Sequence, residues 1–134
     1  MMAGVAGLRP WRAGPAGLLL AACTLAQAQG DAQRGEQLAR SRTQGLCVLC
    51  HALPGDHPAQ QGTVGPPLAG VGARWSADQL RQRLLAPQQF NPDTVMPAYA
   101  RTAGLRQVAP AFAGQPLLQP AQIDDLVAWM VSLQ

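Results

Sequence analysis

The apolar positions near the end of the chain repeat with the period of an α-helix. One stripe recurs at intervals of three or four residues and comprises Ile123, Leu126, Val127 and Met130. Pro120 stands just ahead of this stripe, where proline is tolerated because the first N–H groups of a helix have no partner within it. The pattern predicts a last helix that begins at Pro120 and buries the stripe in the core.

A second helix is predicted by a capping pattern. Ser76 is followed three residues later by Gln79, the spacing at which each side chain can bond the other residue's backbone N–H. The helix must end before Pro87, because proline disfavours the helical conformation of the residue ahead of it. The side chains that would face the core follow at one-turn spacing and are Leu80, Leu84 and Leu85.

The beginning of the folded part carries a weaker helix signal. Asp31 has the side chain of a helix cap, and the helix that it opens would run to about residue 42. Leu38 and Ala39 would face the core. Gly35 weakens the prediction, because glycine costs about 1 kcal/mol relative to alanine within a helix.

Two long segments between these helices are rich in glycine and proline. The first, 52–75, has no predicted regular element, and the second, 88–119, has one short helix predicted over 99–106. We therefore expect an all-α domain of three or four short helices, with loops longer than compact domains normally tolerate. Such loops indicate that a bulky apolar group other than polypeptide fills the middle of the domain.

The first 28 residues have the pattern of an export signal. Arg9 and Arg12 precede an apolar run over 16–26, which is shorter than the ~20 residues that a membrane-spanning helix needs. Small residues at Ala26 and Ala28 predict cleavage after Ala28, so that 1–28 is a signal peptide and 29–134 is the mature domain. We expect a periplasmic protein with no membrane span.

An alternative cleavage site lies within the same leader. The sequence Leu20-Ala21-Ala22-Cys23 resembles a lipoprotein box, which would leave a lipid anchor on Cys23 as the new N-terminus. Cys23 also fits as a small apolar residue of an ordinary signal, and we favour that interpretation. The lipoprotein form stays open from the sequence.

The net charge gives little information about function once the leader is removed. The whole chain has a formal net charge of +3, but without Arg9 and Arg12 eight arginines face seven acidic residues. There is no lysine and no basic stripe with interleaved aromatic residues. The composition therefore gives no support for nucleic-acid binding.

The chemistry is concentrated in the motif Cys47-Val48-Leu49-Cys50-His51. Two thiols separated by two residues, followed by histidine, form the pattern for covalent attachment of haem c, with His51 as the proximal ligand of the iron. A thioredoxin-like dithiol lacks its βαβ context here. A zinc site lacks ligands, because His57 is the only other histidine and 29–134 holds no further cysteine.

Two further residues complete the predicted site. The backbone carbonyl of Pro66, in the sequence Gly65-Pro66-Pro67, would be a rigid acceptor for the second ring nitrogen of His51, although an ordinary turn is the alternative. Met96, in a loop with proline on either side, is the favoured sixth ligand. The other candidates are Met130, expected in the core, and His57, expected in solvent.

Four phrases of the sequence, taken together, are more specific than the haem motif alone. They are CVLCHALPG at 47–55, VGPPLAGVG at 64–72, NPDTVMPAY at 91–99, and GQPLL at 114–118 leading into 123–125. These phrases resemble SoxX, the monohaem cytochrome subunit of the SoxAX complex of bacterial sulfur oxidation. The resemblance extends over about 31–133.

The resemblance implies a class I cytochrome c fold, His51 and Met96 as axial ligands, and a heterodimer with a SoxA-type cytochrome subunit. In that family, thiosulfate is joined oxidatively to a cysteine of the carrier SoxYZ, and the chemistry is assigned to a haem of SoxA. The chain would pass electrons to a downstream acceptor without a catalytic centre of its own, so whether it counts as an enzyme stays open.

Two other functions remain as alternatives. A free-standing class I cytochrome c, acting as an electron shuttle unconnected with sulfur oxidation, fits the residues equally well. A haem sensor or peroxidase would need an open sixth position on the iron.

Overall fold

The residues that the structure describes contain five short α-helices. In the computed structural model they are α1 (Ala32–Arg40), α2 (Cys47–Cys50), α3 (Val71–Arg74), α4 (Ala77–Leu85) and α5 (Pro120–Ser132). Single turns of 3₁₀ helix occur at Pro58–Gln60, Pro87–Gln89 and Pro110–Phe112. The structure describes Met1, 30–55 and 57–134, and these residues contain no strand. The prediction of an all-α fold is confirmed.

The predicted leader lies, apart from Met1, outside the described residues. Cleavage after Ala28 and the alternative at Cys23 therefore stay predictions. Within the described part, no helix has both the length and the apolar character needed to cross a membrane.

The first and last helices pack against each other at very close range. A Cβ on Gly35 would lie 2.0 Å from the backbone oxygen of Asp125 and 2.8 Å from the Cβ of Trp129. From the sequence alone, Gly35 only weakens the prediction of helix α1. The structure gives the physical reason for a glycine, because any larger residue would push α1 away from α5.

A charged network fastens the same crossing. The side chain of Asp31 caps α1 by accepting from the N–H groups of Gln33 and Arg34 at 2.8 and 3.0 Å. Asp125 on α5 accepts from the backbone N–H of Asp31 at 2.7 Å and from two nitrogens of Arg34, each at 2.9 Å. These donors, above all the Arg34 guanidinium, lower the pKa of Asp125 below its ordinary value of 3.8.

Replacing Asp125 by asparagine should destabilise the protein near neutral pH. Because the folded-state pKa of Asp125 lies below its unfolded value, its contribution is present above about pH 4 and is lost as the pH falls through the folded pKa. The Arg34 side chain is 62% exposed, so solvent screens the pair, and we expect a loss of a few degrees in Tm. Thermal unfolding of both proteins from pH 7 to pH 2 should show the difference shrinking in acid. A difference that is constant with pH would contradict this account.

The predicted stripe of α5 forms the centre of the core. Ile123, Leu126, Val127 and Met130 are all buried, as are Leu80 and Leu84 of α4 and Leu38 and Ala39 of α1. Met130 is 7% exposed, so its assignment to the core is confirmed. The capping box of Ser76 and Gln79 is also present at the start of α4. An ion pair of 2.5 Å between Arg81 and Asp124 links α4 to α5.

Three element predictions are wrong in detail. Helix α1 ends at Arg40 rather than near residue 42, because the extended Ser41 already donates its N–H to the carbonyls of Gln37 and Leu38. Segment 52–75 is not wholly irregular, since α3 forms where Gly72 donates to the carbonyl of Leu133 at 2.8 Å. No helix forms over 99–106. The N–H of Tyr99 instead donates to the carbonyl of Leu84, and its carbonyl accepts from Leu118.

Candidate haem site

The two thiols lie on a single helical turn. Helix α2 begins at Cys47, ends at Cys50, and is preceded by Leu46 in the left-handed conformation, with a φ of 62°. Residues three apart on a helix lie on the same face, so both sulfurs point to one side of the turn. His51 follows in extended conformation, and its N–H donates to the carbonyl of Cys47 at 2.8 Å. Neither Cys47 nor Cys50 is in a disulfide.

The environment of Cys47 argues against a redox dithiol. The residue is 8% exposed, and its burial raises the pKa of the thiol to about 11. Redox and nucleophilic cysteines instead have a lowered pKa, since the thiolate is the reactive form. Burial therefore disfavours the thiolate form of Cys47, whereas Cys50 on the same turn is more exposed.

The imidazole of His51 is held on two sides. Its Nδ1 lies 2.7 Å from the carbonyl oxygen of Pro66, which can only accept a hydrogen bond. Nδ1 is thus the donor, and Nε2 keeps its lone pair for a metal ion. A Cβ on Gly65 would lie 2.4 Å from the Cε1 of His51, so the ring rests directly on the Gly65 backbone.

Backbone hydrogen bonds fix the loop that carries Pro66. Gly62 donates to the carbonyl of Val48 at 3.1 Å, Gly65 donates to Cys50 at 2.7 Å, and Leu68 donates to Ala52 at 3.0 Å. These three bonds run alongside the segment that contains both thiols and His51. The Pro66 carbonyl therefore has a fixed position relative to the imidazole.

Met96 lies on a different loop. Its N–H donates to the hydroxyl of Thr94 at 3.2 Å, and its carbonyl accepts from the Gln88 side chain at 3.3 Å. Met96 is half-buried and lines a pocket of about 330 Å³ together with exposed apolar residues, namely Val95, Leu105, Val108, Phe112 and Leu117. Among the described residues that line this pocket, Arg101 is the one charged side chain.

The structure brings some of the predicted residues together and leaves others apart. Cys47, Cys50, His51 and the Pro66 carbonyl form one continuous group, whereas none of these four lines the pocket next to Met96. His57 is exposed, and its Nδ1 accepts from the N–H of Ala59 at 3.2 Å. The position of His57 agrees with the expected solvated loop residue.

Sequence reasoning missed two contributors. Gly65 supports the ring of His51, and the signal was its position directly before the predicted acceptor Pro66. Tyr99 is buried, and its hydroxyl donates to the carbonyl of Gly45 at 2.7 Å. No local signal could reveal this bond, because 54 residues separate its two ends.

The donor set fits a covalently attached haem. Paired thiols on one turn match the groups that attach the porphyrin in c-type cytochromes, and an imidazole with a free Nε2 and a thioether beside an apolar pocket match the groups that bind its iron. The exposed apolar side chains that line the pocket beside Met96, such as Val95 and Phe112, would also be covered by a large apolar macrocycle.

Comparison with known proteins identifies the class. Residues 32–134 match the family model for cytochrome c, so the chain belongs to the cytochrome c family and carries covalently bound haem c. The chain is also similar to a solved structure of SoxXA from P. pantotrophus. The two are 31% identical, the match covers 80% of this chain and 84% of that one, and the TM-score is 0.71. No curated protein matches the chain in sequence. The chain is a cytochrome that resembles SoxX, as its sequence predicts.

Proposed function

We propose that the chain is a periplasmic electron-transfer subunit whose haem iron is ligated by His51 and Met96. The observation that carries the proposal is the hydrogen bond of 2.7 Å between Nδ1 of His51 and the Pro66 carbonyl, which leaves Nε2 free for iron. In the proposed site, Cys47 and Cys50 hold the cofactor covalently.

Histidine and methionine together favour electron transfer over oxygen chemistry. His51 and Met96 would hold the iron between them, and this pair would raise its reduction potential relative to ligation by stronger donors. The chain's own part is to hold the imidazole and the thioether in place. Residues 29–134 contain no third cysteine that could carry a sulfur intermediate, so the sulfur chemistry would take place on a partner.

The proposed partner is a SoxA-type cytochrome subunit. The similar solved structure is of SoxXA, and the match covers 84% of the chain compared. In the proposed complex, the partner joins thiosulfate oxidatively to the SoxYZ cysteine. This chain accepts the electrons that are released and passes them one at a time to a downstream acceptor.

Reconstitution with the partner tests the assignment. Holoprotein mixed with the host's SoxA-type subunit should elute as a heterodimer in size-exclusion chromatography, and its haem should be reduced by the reduced partner in stopped-flow spectroscopy. A monomer that accepts no electrons from that subunit would instead support the free-standing electron shuttle. Rapid carbon monoxide binding by untreated reduced protein would support a sensor or peroxidase.

Export is part of the proposal and has its own test. We propose that residues 1–28 are removed and that the mature chain begins at Gln29. The intact mass of protein from the periplasm reports the N-terminus, any lipid and the haem in one measurement. A diacylated N-terminal Cys23 would replace the soluble form with the lipoprotein form.

A further inference from the structure

One buried hydrogen bond joins the two halves of the proposed ligand set. The Tyr99 hydroxyl donates to the backbone oxygen of Gly45 at 2.7 Å, and the residue is 3% exposed. Tyr99 lies three residues after Met96, and Gly45 lies two residues before Cys47. The bond therefore ties the loop that carries Met96 to the segment just before helix α2, which carries both thiols.

Both ends of this bond are anchored. A Cβ on Gly45 would lie 2.2 Å from the carbonyl oxygen of Leu38, so this backbone rests against α1. At the other end, the N–H of Tyr99 donates to Leu84 at 3.0 Å, and its carbonyl accepts from Leu118 at 3.1 Å. The phenol thus spans two segments that the core already holds in place.

The hydrogen bonds of Met96 do not reach helix α2. The two bonds, to Thr94 and Gln88, join Met96 only to residues that are close in sequence, within 88–96. The following segment, 100–115, is exposed throughout. Among the hydrogen bonds of the described residues, that of the Tyr99 phenol is the one that links 88–117 to 41–55.

We infer that Tyr99 is a positioning residue for the bond between Met96 and the iron. The inference rests on the proposed ligation by His51 and Met96. Groups that orient a metal ligand without touching the metal typically contribute 10–100-fold to its binding. A neutral thioether held on a loop depends on such orientation, because it has no charge to draw it to the iron.

The variant Tyr99→Phe keeps the buried ring and removes only the hydroxyl, which bonds the Gly45 carbonyl and also interacts with the Cys47 thiol of α2. In oxidised holoprotein, the charge-transfer band between methionine sulfur and iron should be lost at lower pH than in the wild type. With about a tenfold weaker bond, at the low end of that range, the midpoint of a one-proton displacement should fall by about one pH unit. The reduction potential should fall as well.

A matched control separates positioning from general stability. Asp125→Asn weakens the contact between α1 and α5, whose hydrogen bonds involve Asp31 and Arg34 and not the Met96 loop, and it should lower Tm without moving the midpoint at which the band is lost. The inference is overturned if Tyr99→Phe keeps the wild-type midpoint. It is also overturned if Asp125→Asn shifts that midpoint as far as Tyr99→Phe does.

Failure of the proposed function would look different. Wild-type holoprotein without the charge-transfer band would show that Met96 is not an iron ligand. A band that is present in the wild type and equally robust in Tyr99→Phe would refute the role of Tyr99 alone. If Tyr99→Phe retains too little haem for the titration while Asp125→Asn retains its haem, Tyr99 serves haem retention rather than methionine ligation, which also overturns the inference.

Discussion

Replacing Cys50 by alanine should weaken or abolish the covalent retention of haem under denaturing conditions. Cys50 is one of two thiols on the single turn α2, and the family to which the chain belongs binds its haem covalently. With one thiol gone, at most one link can form, and we expect covalently held haem to fall well below the wild-type level or to be lost. Haem staining of a denaturing gel and the intact mass measure the outcome.

The cysteines themselves provide the controls for this prediction. Cys47→Ala should give the same loss, because it removes the other thiol of the same turn. Cys23→Ala should retain full haem staining, since Cys23 lies in the predicted leader. Unaltered staining in both Cys47→Ala and Cys50→Ala would remove this motif from the attachment chemistry.

Loss of haem should also affect the fold. All residues over 100–115 are exposed, and apolar side chains such as Leu105 and Phe112 have little polypeptide to pack against. A group that binds the folded state and not the unfolded chain stabilises the fold by mass action. The cofactor therefore contributes to folding as well as to function.

The helices that local signals specify could be predicted from the sequence. Ser76 and Gln79 bond each other's backbone N–H groups and start α4, while Pro120 starts α5 without the loss of any intrahelical bond. These interactions lie within one turn, so a short stretch of sequence contains all of the relevant chemistry.

Elements that depend on distant contacts could not be predicted. Helix α3 forms where Gly72 meets the end of α5, and Gly35 has its role only because α5 crosses α1 there. The predicted helix over 99–106 is absent because the backbone of Tyr99 bonds Leu84 and Leu118 instead. In each case, tertiary packing decides what local propensity leaves undecided.

The candidate site also has parts that could be predicted from the sequence and parts that could not. Cys47, Cys50 and His51 are adjacent in sequence, so their grouping follows from one helical turn. The Pro66 carbonyl could be proposed from proline's rigid backbone, although it lies 15 residues from His51. The tie between Tyr99 and Gly45 depends on how two separate loops pack, and no sequence spacing reports that.

Replacing Met96 by alanine should lower the reduction potential while the haem remains attached. The thioether is the weak, soft ligand of the proposed pair, and its loss leaves water or another donor on the iron, which favours the oxidised state. We expect a drop on the order of a quarter of the ~0.8 V range over which axial ligands set haem potentials. A redox titration of purified holoprotein measures this drop.

The second methionine of the mature chain gives the matched control. Met130 is buried on α5, and Met130→Leu conserves its volume, so that change should cost less than about 1.5 kcal/mol of stability and leave the potential unchanged. Met96→Ala should also open the reduced iron to carbon monoxide, whereas Met130→Leu should not. If the potential falls in Met130→Leu and not in Met96→Ala, the sixth ligand comes from the core helix α5. If both variants keep the wild-type potential, neither methionine binds the iron, and the case for a pure electron carrier loses its main chemical support.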